Sequence, residues 1–224
     1  MIEHFGIPPR KEERADPLDA LIGTILSQNT NDRNSWRAYL NLKENFSSWD
    51  EVAELEAPEI EEHIRIAGLG NQKANAIKEA LNDIVSKKGN ADLNYIRDLT
   101  DDEIIAELTK YKGVGLKTTS CVLLFSLDRN ICPVDTHVHR TMNRTGAVKT
   151  SAPDKTFHEI RPLIPEGQAH TFHTNLILLG REFCKPQKPD CPNCPLLDLC
   201  GFKEKTREGE KRYNHNNFLL LDRL

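Results

Sequence analysis

Four cysteines lie close together near the end of the chain, in "CKPQKPDCPNCPLLDLC", with the spacing C-x6-C-x2-C-x5-C. They are Cys184, Cys191, Cys194 and Cys200. Four thiolates in so short a segment can close around a metal without distant parts of the chain, and the prolines between them stiffen the loop. Zinc is the generic partner of four cysteines, and a 4Fe–4S cluster also takes four thiolates. The spacing therefore predicts a metal site and leaves both metals open.

The remaining composition is that of a soluble intracellular protein. The chain has 224 residues, which suits one large domain or two small ones. No apolar run approaches the ~20 residues of a membrane helix, and the first residues lack the apolar core of a secretory signal. We therefore expect an intracellular protein, in the cytoplasm and nucleoid or in the nucleus, with no membrane partner. In that compartment clustered cysteines favour metal binding over disulfides.

Helical signals run through the chain, and no alternating strand pattern interrupts them. The sequence therefore predicts an all-α fold. Helix ends are predicted from an Asp16 N-cap before Pro17, capping boxes at Ser48–Glu51 and Thr100–Glu103, a Gly89 C-cap and an Asp135 N-cap. Cys121 and Cys132, which lie outside the cysteine spacing, are predicted to be core residues.

A second short stretch, "YKGVGLKTT", predicts a tight turn followed by a helix. Gly113 and Gly115 allow the bend and expose backbone N–H groups near a helix N-terminus, where a phosphate can bind. Lys117 then falls in the first helical turn, whose positive end disfavours an ammonium. A partly desolvated amine there can act as a nucleophile, although an exposed helical lysine is ordinarily only a solvated side chain.

The charge distribution permits two interpretations. The net charge is −4, which argues weakly against non-specific nucleic-acid binding. Residues 48–64 hold seven acidic side chains, whereas 109–117, 139–149 and 181–188 are basic or nearly free of acid. An acidic back with a basic working face gives this pattern, and so does scattered solvated charge.

The two motifs together resemble the endonuclease III family of helix-hairpin-helix (HhH-GPD) DNA glycosylases. The cysteine spacing looks like the 4Fe–4S loop of that family, and "L-x-x-Y-K-G-V-G-L-K-T" looks like its hairpin, with Lys112 where the family usually has proline. The resemblance implies a structural 4Fe–4S cluster on the four cysteines. It also implies that the cluster loop presents Lys185 and Lys188 to DNA.

The same resemblance assigns the catalytic pair. Eighteen residues after Lys117 comes "PVDTHVHRT", in which Asp135 matches the second catalytic residue and His137 a DNA contact near the lesion. A carboxylate there would stabilise the positive charge left on the sugar when a base departs. From the residues alone, helix capping is the favoured role of Asp135, and the two roles are compatible.

Two weaker matches concern the hole left by an extruded nucleotide, which side chains of the protein must fill. "ILSQNTND" resembles the family segment "LLSAQATD" and places Gln28 as the filling glutamine. "GLGNQKA" resembles "GLYNSKA" and places Leu69 as the wedge. The alternatives are a surface glutamine and a core leucine.

The implied architecture has two helical lobes with the damaged DNA at their junction. A six-helix barrel with the hairpin would span 16–130, a cluster lobe would join 1–15 to 131–205, and 206–224 would form a C-terminal tail. The implied function is a monomeric, bifunctional DNA glycosylase and AP lyase of base excision repair, acting on double-stranded DNA with damaged bases or AP sites. It would remove oxidised pyrimidines through a Lys117 Schiff base and nick the strand by β-elimination.

Three other functions stay open. A monofunctional glycosylase of the same fold would act on mismatched thymine, uracil or adenine, and the presence of Lys117 argues against it. Excision of a modified cytosine is suggested by Leu116, where bacterial endonuclease III usually has arginine and plant demethylases have a "GLGLK"-type hairpin. A non-catalytic, cluster-bearing DNA-binding module is disfavoured by the joint presence of Lys117 and Asp135.

Overall fold

The computed structural model describes residues 1–207 and 220–224, and this part of the chain is helical with no β-strand. The predicted all-α fold class is confirmed. Its α-helices are α1 (Ile2–Phe5), α2 (Pro17–Ser27), α3 (Asp32–Asn45), α4 (Trp49–Glu54), α5 (Ala57–Ile64), α6 (Gly70–Lys88), α7 (Asp101–Leu108), α8 (Leu116–Phe125), α9 (Thr136–Thr145), α10 (Pro153–Ile160) and α11 (Ala169–Glu182). None of these helices is long and apolar enough to cross a bilayer.

The described residues divide into two compact units. The hairpin unit comprises Lys11–Arg129 with residues 220–224, and the cysteine unit comprises Met1–Arg10 with residues 130–207. The hairpin unit thus includes residues 11–15, which the sequence analysis assigned to the other lobe. Lys11 explains this, because its ammonium donates to the carbonyl of Arg223 at 2.7 Å. Part of the predicted tail also packs here, since Leu220 is buried; the rest, 208–219, lies outside the described residues.

Helix α2 is the central element of the hairpin unit. The Asp16 side chain accepts from the Leu18 N–H at 2.9 Å, and Pro17 occupies the first turn, as the sequence predicted. Almost every residue that follows is buried, including Leu21 and Ile25 at 0% exposure. The helix packs against α3, α6 and α8, so its C-terminal end, which leads into Gln28, is held from three sides.

Seven α-helices, α2 to α8, lie within the described part of the hairpin unit. The chain becomes extended at Leu55, after α4, and the Glu59 carboxylate accepts from the Glu56 N–H at 2.7 Å where α5 starts. The predicted box at Thr100–Glu103 is confirmed. The predicted box at Ser48–Glu51 is wrong in one half: Ser48 caps the Glu51 N–H, but the Glu51 carboxylate accepts from the N–H of Ser47.

The cysteine unit is built around α9 and α11. Helix α11 is buried along most of its length and packs against α9 and α1, while α10 packs against α9. The His4 and Phe5 rings of α1 contact Phe183 edge-on, at centroid distances of 5.3 and 6.2 Å. Phe183 ends α11 and directly precedes the cysteine loop, so this packing fixes where the loop begins.

Candidate functional site

The predicted turn between α7 and α8 is a tight hairpin. Gly113 has a φ of 80°, in the left-handed region that side chains disfavour. The Val114 N–H donates to the Tyr111 carbonyl at 3.0 Å, and both side chains are buried. These two anchors hold the turn, so that Gly113 and Gly115 are exposed at its tip.

The tip of the hairpin presents backbone donors. Within the described residues, the N–H groups of Gly113, Gly115, Leu116 and Lys117 make no hydrogen bond, as expected ahead of and inside a first helical turn. Gly115 has a φ of −98°, and no atom of residues 1–207 or 220–224 lies within 4 Å of the Cβ that a larger residue would carry. A cluster of free donors at a helix N-terminus with open space beside it suits an anion.

Lys117 lies in the first turn of α8 and is half-buried. From Thr118 to Phe125 every residue of that helix is buried, so the backbone that carries Lys117 is fixed in the core. Among the described residues its ammonium has no hydrogen bond and no ion pair. Lys117 is therefore a rigidly mounted amine whose nitrogen is available to a ligand.

Gln28 lies directly beneath the hairpin. Its side-chain amide donates to the Gly113 carbonyl at 2.9 Å and reaches the Thr118 hydroxyl at 3.4 Å. The glutamine predicted to fill a DNA gap is thus bound to the same turn that offers the anion site.

Leu69 is not a core residue. Its side chain is 45% exposed, and it precedes α6 with a left-handed φ of 51°. A left-handed conformation is unfavourable for leucine. The structure therefore displays an apolar side chain at some cost, which excludes the core alternative and is compatible with a wedge.

Asp135 caps α9, as predicted from the residues alone. One carboxylate oxygen, Oδ1, accepts from the Val138 N–H at 2.8 Å. The other, Oδ2, accepts no hydrogen bond within the described residues. The segment before it, Ile131–Val134, is buried, and His173 holds that segment by a 3.0 Å hydrogen bond with the Pro133 carbonyl. The Asp135 side chain is thus held in place through Oδ1, and Oδ2 is available to accept a hydrogen bond or a proton from a ligand.

His137 packs tightly against α11. A Cβ added at Gly180 would lie 2.7 Å from the His137 ring, so only glycine permits this approach. Burial lowers the pKa of His137, and its Nδ1 faces the Arg140 guanidinium at 3.2 Å. Burial therefore favours the neutral form of the ring.

The four clustered cysteines line one pocket. Its other walls include the apolar side chains of Phe183, Leu197 and Phe202 and the charged side chains of Arg144, Asp190 and Lys205. Burial, together with the charge of the three other thiolates, raises the pKa of the Cys194 thiol. Within the described residues no three Cys, His, Asp or Glu side chains converge tightly enough to hold a single metal ion. Cys121 and Cys132 are buried, as predicted.

Two arginines that the sequence analysis did not single out hold the start of this loop. Arg140 donates to the carbonyls of Cys184 at 2.7 Å and Gly180 at 3.0 Å. Arg144, one turn later, donates to the Lys185 carbonyl at 2.6 Å and lies 3.7 Å from the Cys184 sulfur. Asp135 therefore caps the N-terminus of α9, and arginines further along the same helix bind the start of the cysteine loop by hydrogen bonds.

The predicted DNA-contacting lysines differ in exposure. Lys188 is exposed, with a left-handed φ of 45°, whereas Lys185 is half-buried and its carbonyl is bound by Arg144. Both lie on the loop that the cysteines delimit.

The chain is similar over most of its length to known DNA repair proteins. Residues 22–166 match the HhH-GPD superfamily of base excision DNA repair proteins. Endonuclease III of Thermotoga maritima is 35% identical over 91% of this chain and 92% of its own. A putative DNA glycosylase of Arabidopsis thaliana is 43% identical over 84% of this chain and 68% of its own.

Solved structures agree with these matches. A trapped endonuclease III–DNA covalent intermediate superposes with a TM-score of 0.75 at 29% identity, over 89% of this chain and 90% of that one. The predicted resemblance to the endonuclease III family is confirmed. The predicted helix-hairpin-helix is confirmed as well. The chain therefore belongs to the HhH-GPD superfamily of base excision DNA repair proteins, as an endonuclease III-like DNA glycosylase.

Proposed function

We propose that the protein is a bifunctional DNA glycosylase and AP lyase that removes oxidised pyrimidines from double-stranded DNA. The observation that carries the proposal is Lys117: a half-buried amine without a hydrogen bond or ion pair in the described chain, directly after a turn of free backbone donors. The similarity to a trapped covalent endonuclease III–DNA intermediate supports amine chemistry, and that to endonuclease III supports the substrate class.

In the proposed reaction the free amine of Lys117 attacks C1′ of the damaged nucleotide. The C1′–N bond breaks, its electron pair leaves with the base, and the base takes up a proton. The new C–N bond becomes a Schiff base as the sugar ring opens. Loss of a C2′ proton then expels the 3′ phosphate by β-elimination, which nicks the strand.

Asp135 has two roles in this scheme. Its Oδ1 stays on the Val138 N–H and fixes the side chain, while Oδ2 stabilises positive charge on the sugar and accepts a proton. The free amides of Gly113 and Gly115 bind a DNA phosphate, which positions the substrate without reading its sequence. A neutral His137 contacts DNA near the lesion as a hydrogen-bonding group.

Borohydride trapping on AP-site DNA tests the proposal. The wild type should form a covalent adduct, and Lys117→Gln should form none. Lys112→Gln is the matched control, because Lys112 is an exposed lysine on the same hairpin, and it should still trap. Asp135→Asn should slow base removal while DNA binding is kept. Absence of a wild-type adduct, or an adduct with Lys117→Gln, would contradict the amine assignment.

We further propose that Cys184, Cys191, Cys194 and Cys200 hold a 4Fe–4S cluster. The cysteine spacing, the pocket that the four sulfurs share and the similarity to endonuclease III support this proposal. The Arg144 guanidinium lies 3.7 Å from the Cys184 sulfur. When bound, the group would cross-link the loop that carries Lys185 and Lys188. Iron without zinc in elemental analysis, with an absorbance band near ~400 nm, is the expected result; zinc alone would refute it.

A further inference from the structure

Lys73 is the most deeply buried lysine side chain described in the hairpin unit. It lies on α6 and is 2% exposed. Its ammonium donates to two backbone carbonyls, those of Leu26 and Ala67, each at 2.8 Å. A buried cation is costly unless it is hydrogen-bonded, so these two bonds are what retain Lys73 in the interior. Burial also excludes Lys73 from contact with a DNA phosphate.

The two carbonyls belong to the segments that carry the candidate gap-filling side chains. Leu26 is near the C-terminal end of α2, two residues before Gln28, where helix carbonyls have no partner in the next turn. Ala67 ends a short 3-10 turn, two residues before Leu69. One ammonium thus joins the base of one segment to the base of the other.

Both segments contain a residue with an unfavourable backbone conformation close to the carbonyl that Lys73 binds. Leu69 has its unfavourable left-handed backbone and makes no side-chain cap for α6. Asn29, directly after Gln28, is also left-handed, with a φ of 50°. Segments of this kind keep their conformation only when their surroundings fix it.

We propose that Lys73 is a positioning residue that sets the separation between Gln28 and Leu69, so that both side chains enter the duplex together around an extruded nucleotide. The inference rests on the proposed function, because it assumes that both residues fill DNA. It assigns Lys73 no contact with substrate. The buried amine acts through the two backbone segments it joins.

The test compares Lys73→Met with Lys78→Met. Lys78 lies on the same helix and also donates to a backbone carbonyl, that of Ala53 at 2.9 Å, which is outside both segments. The affinity of each variant is measured by fluorescence anisotropy for a duplex with a tetrahydrofuran abasic analogue and for an intact duplex, at one salt concentration.

We expect Lys73→Met to lower the preference for the analogue duplex by about tenfold, because Gln28 and Leu69 would no longer be held at one separation and part of the binding energy would be lost in ordering them. Affinity for intact duplex should not change, since Lys73 touches no phosphate. Lys78→Met should keep the full preference. Lys73→Gln, which is neutral and can reach one carbonyl, gives a second variant with a smaller expected loss should the methionine variant fold poorly.

A double-mutant cycle separates positioning from a general structural effect. In a background carrying Gln28→Ala and Leu69→Ala, Lys73→Met should have no further effect on the preference. An equal loss in that background, or full preference in Lys73→Met alone, would overturn the inference. Its failure is distinguishable from failure of the proposed function: the first leaves wild-type preference and borohydride trapping intact, and the second removes them from the wild type.

Discussion

Gly115→Ala should separate the stability of the protein from its affinity for DNA. The Gly115 backbone, with a φ of −98° and ψ of −176°, is extended and open to any residue. In the part of the chain that the structure describes, the added Cβ would have no neighbour within 4 Å. Alanine is a poorer N-cap than glycine by about 0.5–1 kcal/mol, and it gains about 0.4–1 kcal/mol by restricting the unfolded chain. The free energy of unfolding should therefore change by less than about 0.5 kcal/mol.

The affinity should respond much more strongly. If the free N–H groups bind a DNA phosphate as proposed, a methyl group at Gly115 would compete with that phosphate for the open space beside them. Loss of one charge-assisted hydrogen bond costs about 1.5–3 kcal/mol, which corresponds to a Kd raised about tenfold to a hundredfold. Anisotropy titration with the abasic-analogue duplex measures the Kd, and urea unfolding followed by circular dichroism measures the stability.

A pair of left-handed glycines provides the control. Gly113 and Gly89 have φ values of 80° and 85°, and Gly89 ends α6, outside the hairpin. Alanine at either should lower the free energy of unfolding by about 1–2 kcal/mol, whereas only Gly113→Ala should also weaken DNA binding. Wild-type affinity in Gly115→Ala would refute the phosphate site. If Gly115→Ala lost as much stability as Gly89→Ala, the conclusion that the Gly115 position accepts a Cβ without strain would be wrong.

Two further perturbations test the packing and the charge of the interior. Gly180→Ala should lower the stability by about 1–3 kcal/mol, since its Cβ would meet the His137 ring and Cβ at 2.7 Å; thermal unfolding checks this, and an unchanged Tm would contradict it. Burial lowers the pKa of Lys73 from 10.5 to about 8, so between these values the unfolded chain binds more protons than the folded one. The free energy of unfolding attributable to Lys73 should therefore rise from pH 8 to pH 10.5 and fall as the pH drops through 8. As the pH rises from 8 to 10.5, the urea midpoint of the wild type should rise relative to that of Lys73→Met. A constant difference between the two midpoints would refute a lowered pKa for Lys73.

The features that the sequence predicted correctly are local ones. The hairpin depends on two glycines and two buried anchors within five residues, and the Thr100–Glu103 box on contacts three residues apart. The capping role of Asp135 is local in the same sense. Each of these features depends on the backbone geometry of a single turn. Certain residue types at fixed spacing favour that geometry, so the sequence can predict it.

The features that were missed depend on distant segments. In the sequence, Arg140 and Arg144 have the pattern of ordinary basic residues on a polar helix. Their guanidinium groups bind backbone carbonyls because residues 180–186, which are distant in sequence, pack beside them. Glu51 was paired with the wrong serine because its carboxylate can reach either of two adjacent N–H groups. Leu69, for which the sequence allows both a wedge and a core leucine, is exposed at the left-handed start of α6.

Lys73 and Lys117 illustrate why desolvation alone does not identify a reactive lysine. A search for a lysine whose pKa is lowered by burial selects Lys73, whose amine is inaccessible and bound to the carbonyls of Leu26 and Ala67. Lys117 is selected instead by its position, at the start of a buried helix and directly after a turn with free backbone donors. A nucleophile must reach its substrate, and under the proposed function the hairpin holds a phosphate beside the nucleotide that Lys117 attacks. Under that proposal, accessibility next to the hairpin is the stronger criterion than burial, because it selects Lys117 and leaves Lys73 a positioning role.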